Sequence, residues 1–149
     1  MDRRQPFLPA AILGNGSLLA TLSARGEVER LFWPNVDHGQ HLGELRLGLE
    51  RDGETRWLDE EPFAWRQEYV DGASILRTVA SDEAGEVEIV DFVLPGEPVL
   101  VRRVRCSPAG GRLVVSCRPC LDESRHGDAG YVDPESGALV FYRRHVALA

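Results

Sequence analysis

The side chains able to do chemistry gather in two short stretches. The first runs from Trp33 to Glu44 as Trp-Pro-Asn-Val-Asp-His-Gly-Gln-His-Leu-Gly-Glu. A sugar is recognised by flat aromatic surface and by fixed donors and acceptors, which Trp33, Asn35, Asp37, His38 and His41 can supply. The same stretch, read as Asp37-His38-x-x-His41-x-x-Glu44, offers two imidazoles and two carboxylates of the kind that ligate zinc or a harder ion. Histidines three apart fall on opposite faces of a regular strand, so convergence would need an irregular loop, and the expectation is no metal. The structural alternative is a capped surface loop whose side chains bond their own backbone.

The second stretch is Cys117-Arg118-Pro119-Cys120, which has redox-motif spacing. It follows a strand instead of opening a helix, so the dipole that stabilises a thiolate is missing. With Cys106 and His126 it could make a zinc site, but the expected reading is buried, inert thiols. The acidic runs Asp59-Glu60-Glu61 and Asp122-Glu123 are read as surface charge, because adjacent side chains on a strand or loop point apart. Trp57, Phe63, Trp65 and Tyr69 are spaced for one strand face and read as packing aromatics. An exposed Trp65 would instead be a platform for a sugar ring. Acid–base chemistry of the mutarotase type would need a base and an acid facing across a concave sheet, with His38, His41 or His126 as candidates.

The elements that must position these groups are strands. The hydrophobic period is two almost throughout, and no window longer than ten residues has the 3.6 period of a helix. Expected strands are Ser17–Ser23, Val28–Trp33, Glu44–Glu50, Thr55–Leu58, Phe63–Val70 and Ser74–Ala80, then Glu86–Leu94, Val99–Cys106 and Arg112–Cys117. A last hairpin joins Tyr131–Asp133 to Ala138–Ala147. Asp52-Gly53 and Asp71-Gly72 are hairpin turns, since both residue types tolerate positive φ. Pro95-Gly96-Glu97-Pro98 and Pro108-Ala109-Gly110-Gly111 stop one strand and start the next. Ten or so short strands at such spacing predict an all-β, antiparallel sandwich over residues 1–149 as one domain.

Length and composition agree. The 149 residues, 43% hydrophobic and 28% charged, suit a globular chain, with 24 acidic side chains against 17 basic ones and a net charge of −7. Every basic side chain other than histidine is arginine. Net negative charge without a basic run argues against nucleic acid as a partner. No apolar run approaches the roughly 20 residues of a membrane span. Pro6 and Pro9 break the short apolar stretch near the N-terminus, so no signal peptide is read. Three cysteines are no disulfide framework. A cytoplasmic protein is the expectation.

One segment is specific. Ile12-Leu13-Gly14-Asn15-Gly16-Ser17-Leu18-Leu19-Ala20 is followed by Arg25-Gly26-Glu27-Val28, then Leu31-Phe32-Trp33-Pro34 and the Asn35–His41 loop. Together these resemble the N-terminal β-sandwich domain of bacterial and archaeal glucoamylase-like enzymes, glycoside hydrolase family 15. A weaker likeness continues through Val114–Asp122 and Gly137–Arg143.

The resemblance implies a galactose-mutarotase-like supersandwich packed on a six-fold α/α barrel, with the catalytic glutamates on that barrel. Nothing in this chain could be the barrel, so no catalytic residue is carried over, and the sandwich itself is expected to be incomplete. In such enzymes the loop holding Trp33, Asn35, Asp37, His38 and His41 reaches toward the barrel, so it is expected to face substrate or the domain interface. The expectation is a non-catalytic domain without a cofactor, with a structural or interaction role in carbohydrate metabolism and weak carbohydrate binding. Its expected partners are an oligosaccharide, a chain bearing the catalytic barrel, and a second copy in a dimer that covers an open sheet edge. The alternative is a free-standing sugar-active enzyme, mutarotase-like or metal-dependent.

Overall fold

Alternating side chains need two surfaces to cover them, and the chain supplies these as stacked antiparallel sheets. The structure, a computed structural model, describes residues 9–123, 129–144 and 146–149. The strands are β1 (Ala11–Gly14), β2 (Leu19–Leu22), β3 (Val28–Phe32), β4 (Leu42–Arg51), β5 (Glu54–Trp57), β6 (Ala64–Tyr69) and β7 (Ile75–Asp82). They continue with β8 (Gly85–Val93), β9 (Leu100–Ser107), β10 (Arg112–Pro119), β11 (Ala129–Val132), β12 (Leu139–Arg143) and β13 (Val146–Leu148). A 3-10 turn, Leu121–Glu123, follows β10.

One sheet has the order β1-β2-β3-β4-β10, with β5 also on β4; the second is β6-β7-β8-β9; a small third is β11-β12-β13. The hairpins at Asp52-Gly53 and Asp71-Gly72 form as expected, with positive φ at both residues of each. Two differences from the sequence reading are local. The four-residue β1 precedes the first expected strand, its Ala11 and Leu13 buried and Ile12 and Gly14 outward. The long final strand is two strands, β12 and β13, turning near Arg144, whose φ is +53°.

The first two sheets enclose two apolar clusters. Leu13, Leu22, Val28 and Leu31 pack with Leu76 and Val93 in one, while Leu47, Leu49, Leu58 and Phe63 pack with Val87 and Ile89 in the other. Full burial of each such side chain contributes about 1.5–3 kcal/mol. The inner rows of β7 and β8 pass from one cluster to the other through polar residues, Thr78 and Asp91, both wholly buried. Arg102, directly opposite Asp91 on β9, donates from Nε to Asp91 Oδ1 at 2.7 Å and from Nη2 to Oδ2 at 3.2 Å. Nη2 also donates to the carbonyl of Gly26. Burial pushes the Asp91 carboxyl up, and Arg102 holds part of that rise back.

The β2–β3 turn enters this polar seam. Gly26 has φ +85°, and a Cβ there would stand 3.2 Å from Thr78 Cγ2, so glycine is needed both for conformation and for space. Gln67 Nε2 donates to Ser23 O and to Thr78 Oγ1, each at 3.0 Å. The seam therefore fixes the offset of one sheet over the other.

Among the described residues β9 pairs only with β8 and β10 only with β4, so each sheet has an open edge on the same flank. Between them lies a groove of about 430 Å³ whose walls include Leu45, Leu100, Val115, Cys117, Phe141 and Leu148. No helix among the described residues is long and apolar enough to cross a membrane, a statement that concerns helices alone.

Candidate functional site

The loop from Trp33 to His41 leaves β3 and re-enters the sheet at β4. It is closed at its base by a bridge between Phe32 and Gln40 and by the His41 amide donating to Leu31 O at 2.7 Å. The Trp33–Pro34 peptide is cis.

The structure divides the five expected site residues into two groups. His41 is turned inward and only 5% exposed. Its Nδ1 accepts from the Asp122 amide at 3.0 Å, which assigns the ring hydrogen to Nε2, and Nε2 donates to Trp33 O at 2.8 Å. Both nitrogens of a neutral imidazole are thereby committed to backbone. The His41 ring also stands 6.5 Å from the Trp33 ring, centroid to centroid. The 3-10 turn is fastened from the other side by Cys120 N donating to His41 O and Glu123 N donating to Gln40 O. A Cβ at Gly39 would meet Asp122 at 3.1 Å, so the two segments lie in close contact.

Trp33, Asn35, Asp37 and His38 are all on the exposed side of the loop. Asn35 Oδ1 accepts from the Asp37 amide at 2.9 Å and from His38 Nδ1 at 3.0 Å, an Asx turn of the self-bonded kind. The arrangement presents an indole, a carboxylate and an imidazole on the exposed side of the loop, groups able to stack on and hydrogen-bond a polyhydroxyl ligand.

The remaining candidates resolve differently. No group of three or more His, Cys, Asp or Glu side chains is gathered for a metal ion among the described residues. Cys106, Cys117 and Cys120 are free thiols and half-buried, and burial pushes the Cys117 thiol up, away from thiolate reactivity. His126 lies outside the described residues. Trp65 is half-buried, donates Nε1–H to Leu58 O at 2.6 Å and is covered by the Arg25 guanidinium at 4.3 Å, so it is no open platform. Trp57 lies on β5, a different strand from Trp65 and Tyr69, and Arg46 sits 4.7 Å over it. Asp59 is not surface charge: it is nearly buried and accepts from Arg46 Nε with both oxygens, at 3.1 and 2.9 Å.

Asn15 is the residue whose importance sequence reasoning missed. Its Oδ1 accepts from the Ser17 amide, the Ser17 hydroxyl and the Leu18 amide, each at 3.0 Å. Its Nδ2 donates to Leu94 O and Glu97 O, each at 2.8 Å. The Gly14-Asn15-Gly16 segment thus ties the β1–β2 turn to the β8–β9 turn of the opposite sheet. Asn between glycines was the available signal, but the acceptors about eighty positions away were not.

The chain is 34% identical over 93 residues to a protein of Methanocaldococcus jannaschii named as an uncharacterized glycosyl hydrolase. The match takes in 62% of this chain but only 15% of that protein. No protein-family model and no solved structure matches the chain. The similarity connects this all-β chain with a protein named as a glycosyl hydrolase, through a small share of that protein's length.

Proposed function

We propose that the chain is a non-catalytic supersandwich module of a glycoside hydrolase system of the family 15 kind, which holds and orients while bond breaking is done elsewhere. The observation carrying this reading is the loop at Trp33–His41. Its buried histidine and its Asx turn are committed to holding the loop in shape, while Trp33, Asp37 and His38 are each exposed. A group that donates and accepts with backbone on both ring nitrogens is occupied as a fastener and has no proton to exchange with a substrate. The likeness to a glycosyl hydrolase through 15% of its length is what a positioning module of a larger enzyme would give. In this role the loop contacts an oligosaccharide chain or the domain that cleaves it.

Titration with a maltooligosaccharide, followed by tryptophan fluorescence and by amide shifts of residues 33–41, tests the reading. Weak binding that Trp33→Ala removes is the expected result, with neither hydrolysis nor accelerated mutarotation by the chain alone. Turnover that disappears in His38→Ala would establish the free-standing enzyme instead.

A further inference from the structure

The open flank of the sandwich differs in charge from the rest of the chain. From Val99 to Pro119, across β9 and β10, the sequence holds five arginines and no aspartate or glutamate, in a chain with 24 acidic side chains. Along β10 the side chains alternate. Leu113, Val115 and Cys117 form one row; Val115 and Cys117 line the groove, and Leu113 and Val115 are 43% and 55% exposed. The other row carries Arg112 and Arg118 at its ends, opposite Glu50 and Glu44 of β4. Arg112 Nη2 lies 2.7 Å from Glu50 and Arg118 Nη2 lies 3.6 Å from Glu44, yet both arginine side chains keep 70% or more of their surface exposed. Arg102, which also lines the groove, is 9% exposed at its side chain and has Nη1 buried without an acceptor.

We propose that the open edge of β10 is a strand-addition site for an acidic, extended polypeptide segment in which acidic and apolar side chains alternate. Such a segment satisfies the unpaired backbone groups of the edge, as strand addition generally does. Its apolar side chains continue the row of Leu113, Val115 and Cys117 into the groove. Its carboxylates fall opposite Arg112 and Arg118, so each arginine is flanked by acid on both sides. The charge pattern also disfavours the most symmetric pairing with a second copy. In an antiparallel two-fold pairing centred on Val115, Arg112 of one copy faces Arg118 of the other, and like charges directly opposite are destabilising. This inference does not depend on carbohydrate binding by the Trp33–His41 loop.

The test uses the whole chain and a capped, fluorescent peptide of alternating glutamate and valine, with a lysine–valine peptide as the control. Anisotropy is expected to show binding of the glutamate peptide that weakens with salt, and amide shifts are expected to map to residues 112–119. Arg112→Gln with Arg118→Gln should weaken binding about tenfold, the sum of two cross-strand charge pairs, with thermal unfolding unchanged. Val115→Glu should abolish binding, and its fold is checked by the same unfolding measurement. Equal binding of the lysine peptide, shifts confined to another surface, or sedimentation as a dimer that Val115→Glu dissociates would each overturn the proposal.

Discussion

Removing Arg102 should damage this protein more than removing any exposed charge. Asp91 has no solvent exposure, and Arg102 supplies both hydrogen bonds to its carboxylate as well as one to Gly26 O. Arg102→Met would leave a buried carboxylate with no partner, a loss of about 3–5 kcal/mol. That is a large part of the roughly 5–15 kcal/mol that holds a domain folded. Adding Asp91→Leu removes the stranded charge. The double variant should then lie within about 2 kcal/mol of the parent, with Gly26 O still lacking its donor. Urea unfolding followed by circular dichroism measures each corner of the cycle, and the coupling should reach about 3 kcal/mol. The pH dependence supplies a second readout. Burial raises the Asp91 carboxyl and Arg102 restrains it, so without Arg102 the rise is larger. A carboxyl raised on folding binds more protons in the folded state, so the stability of Arg102→Met should grow as pH falls. A loss under about 1 kcal/mol for Arg102→Met, or a double variant as unstable as the two single losses added, would refute the reasoning.

Asn15→Ala removes the acceptor of the Ser17 and Leu18 amides in a half-buried turn and the side-chain donor to Leu94 O and Glu97 O, which keep their backbone donors Glu97 N and Val99 N. It should cost about 2–3 kcal/mol in chemical denaturation, while Ser17→Ala, which removes one bond of the set, should cost less. His41→Phe keeps the ring but removes both fastenings; about 2–4 kcal/mol should be lost, and amide hydrogen exchange should quicken at residues 33–41 and 120–123 before it does so in β7 and β8. Glu27 is raised above its ordinary 4.5, chiefly by burial and then by Asp59. Its contribution is full below 4.5 and lost as pH climbs through the folded value, so Glu27→Gln should flatten that part of the stability profile measured by thermal melts across pH. At Gly85, φ is +141° and a Cβ would stand 2.2 Å from Ser107 O; Gly85→Ala should lower stability by about 3 kcal/mol or more in urea titrations.

Much of the fold is a local property and could be read from the chain. A two-residue period marks strands, and Asp-Gly pairs accept the positive φ that reverses them, so the β4–β5 and β6–β7 hairpins follow directly from their residues. β8 and β9 pair in sequence order across Pro95-Gly96-Glu97-Pro98, whose prolines stop one strand and start the next. Other features depend on partners far along the chain, for which adjacent residues carry no signal. Asp59 reads as one of three surface acids until Arg46 closes on it. His41 reads as one of five side chains of a substrate- or interface-facing loop until the Asp122 amide, 81 residues later, takes its acceptor nitrogen. The pairing of β10 with β4, from Arg112 against Glu50 to Pro119 against Leu42, decides which edge is left open, and the stacking of the sheets decides that Asp91 is buried against Arg102. Sequence determined where the backbone runs straight and where it turns, because dihedral preference and side-chain alternation act within a few residues. Tertiary structure alone decided which polar groups became fasteners and which remained exposed, because burial and hydrogen-bond satisfaction are settled only when distant strands meet.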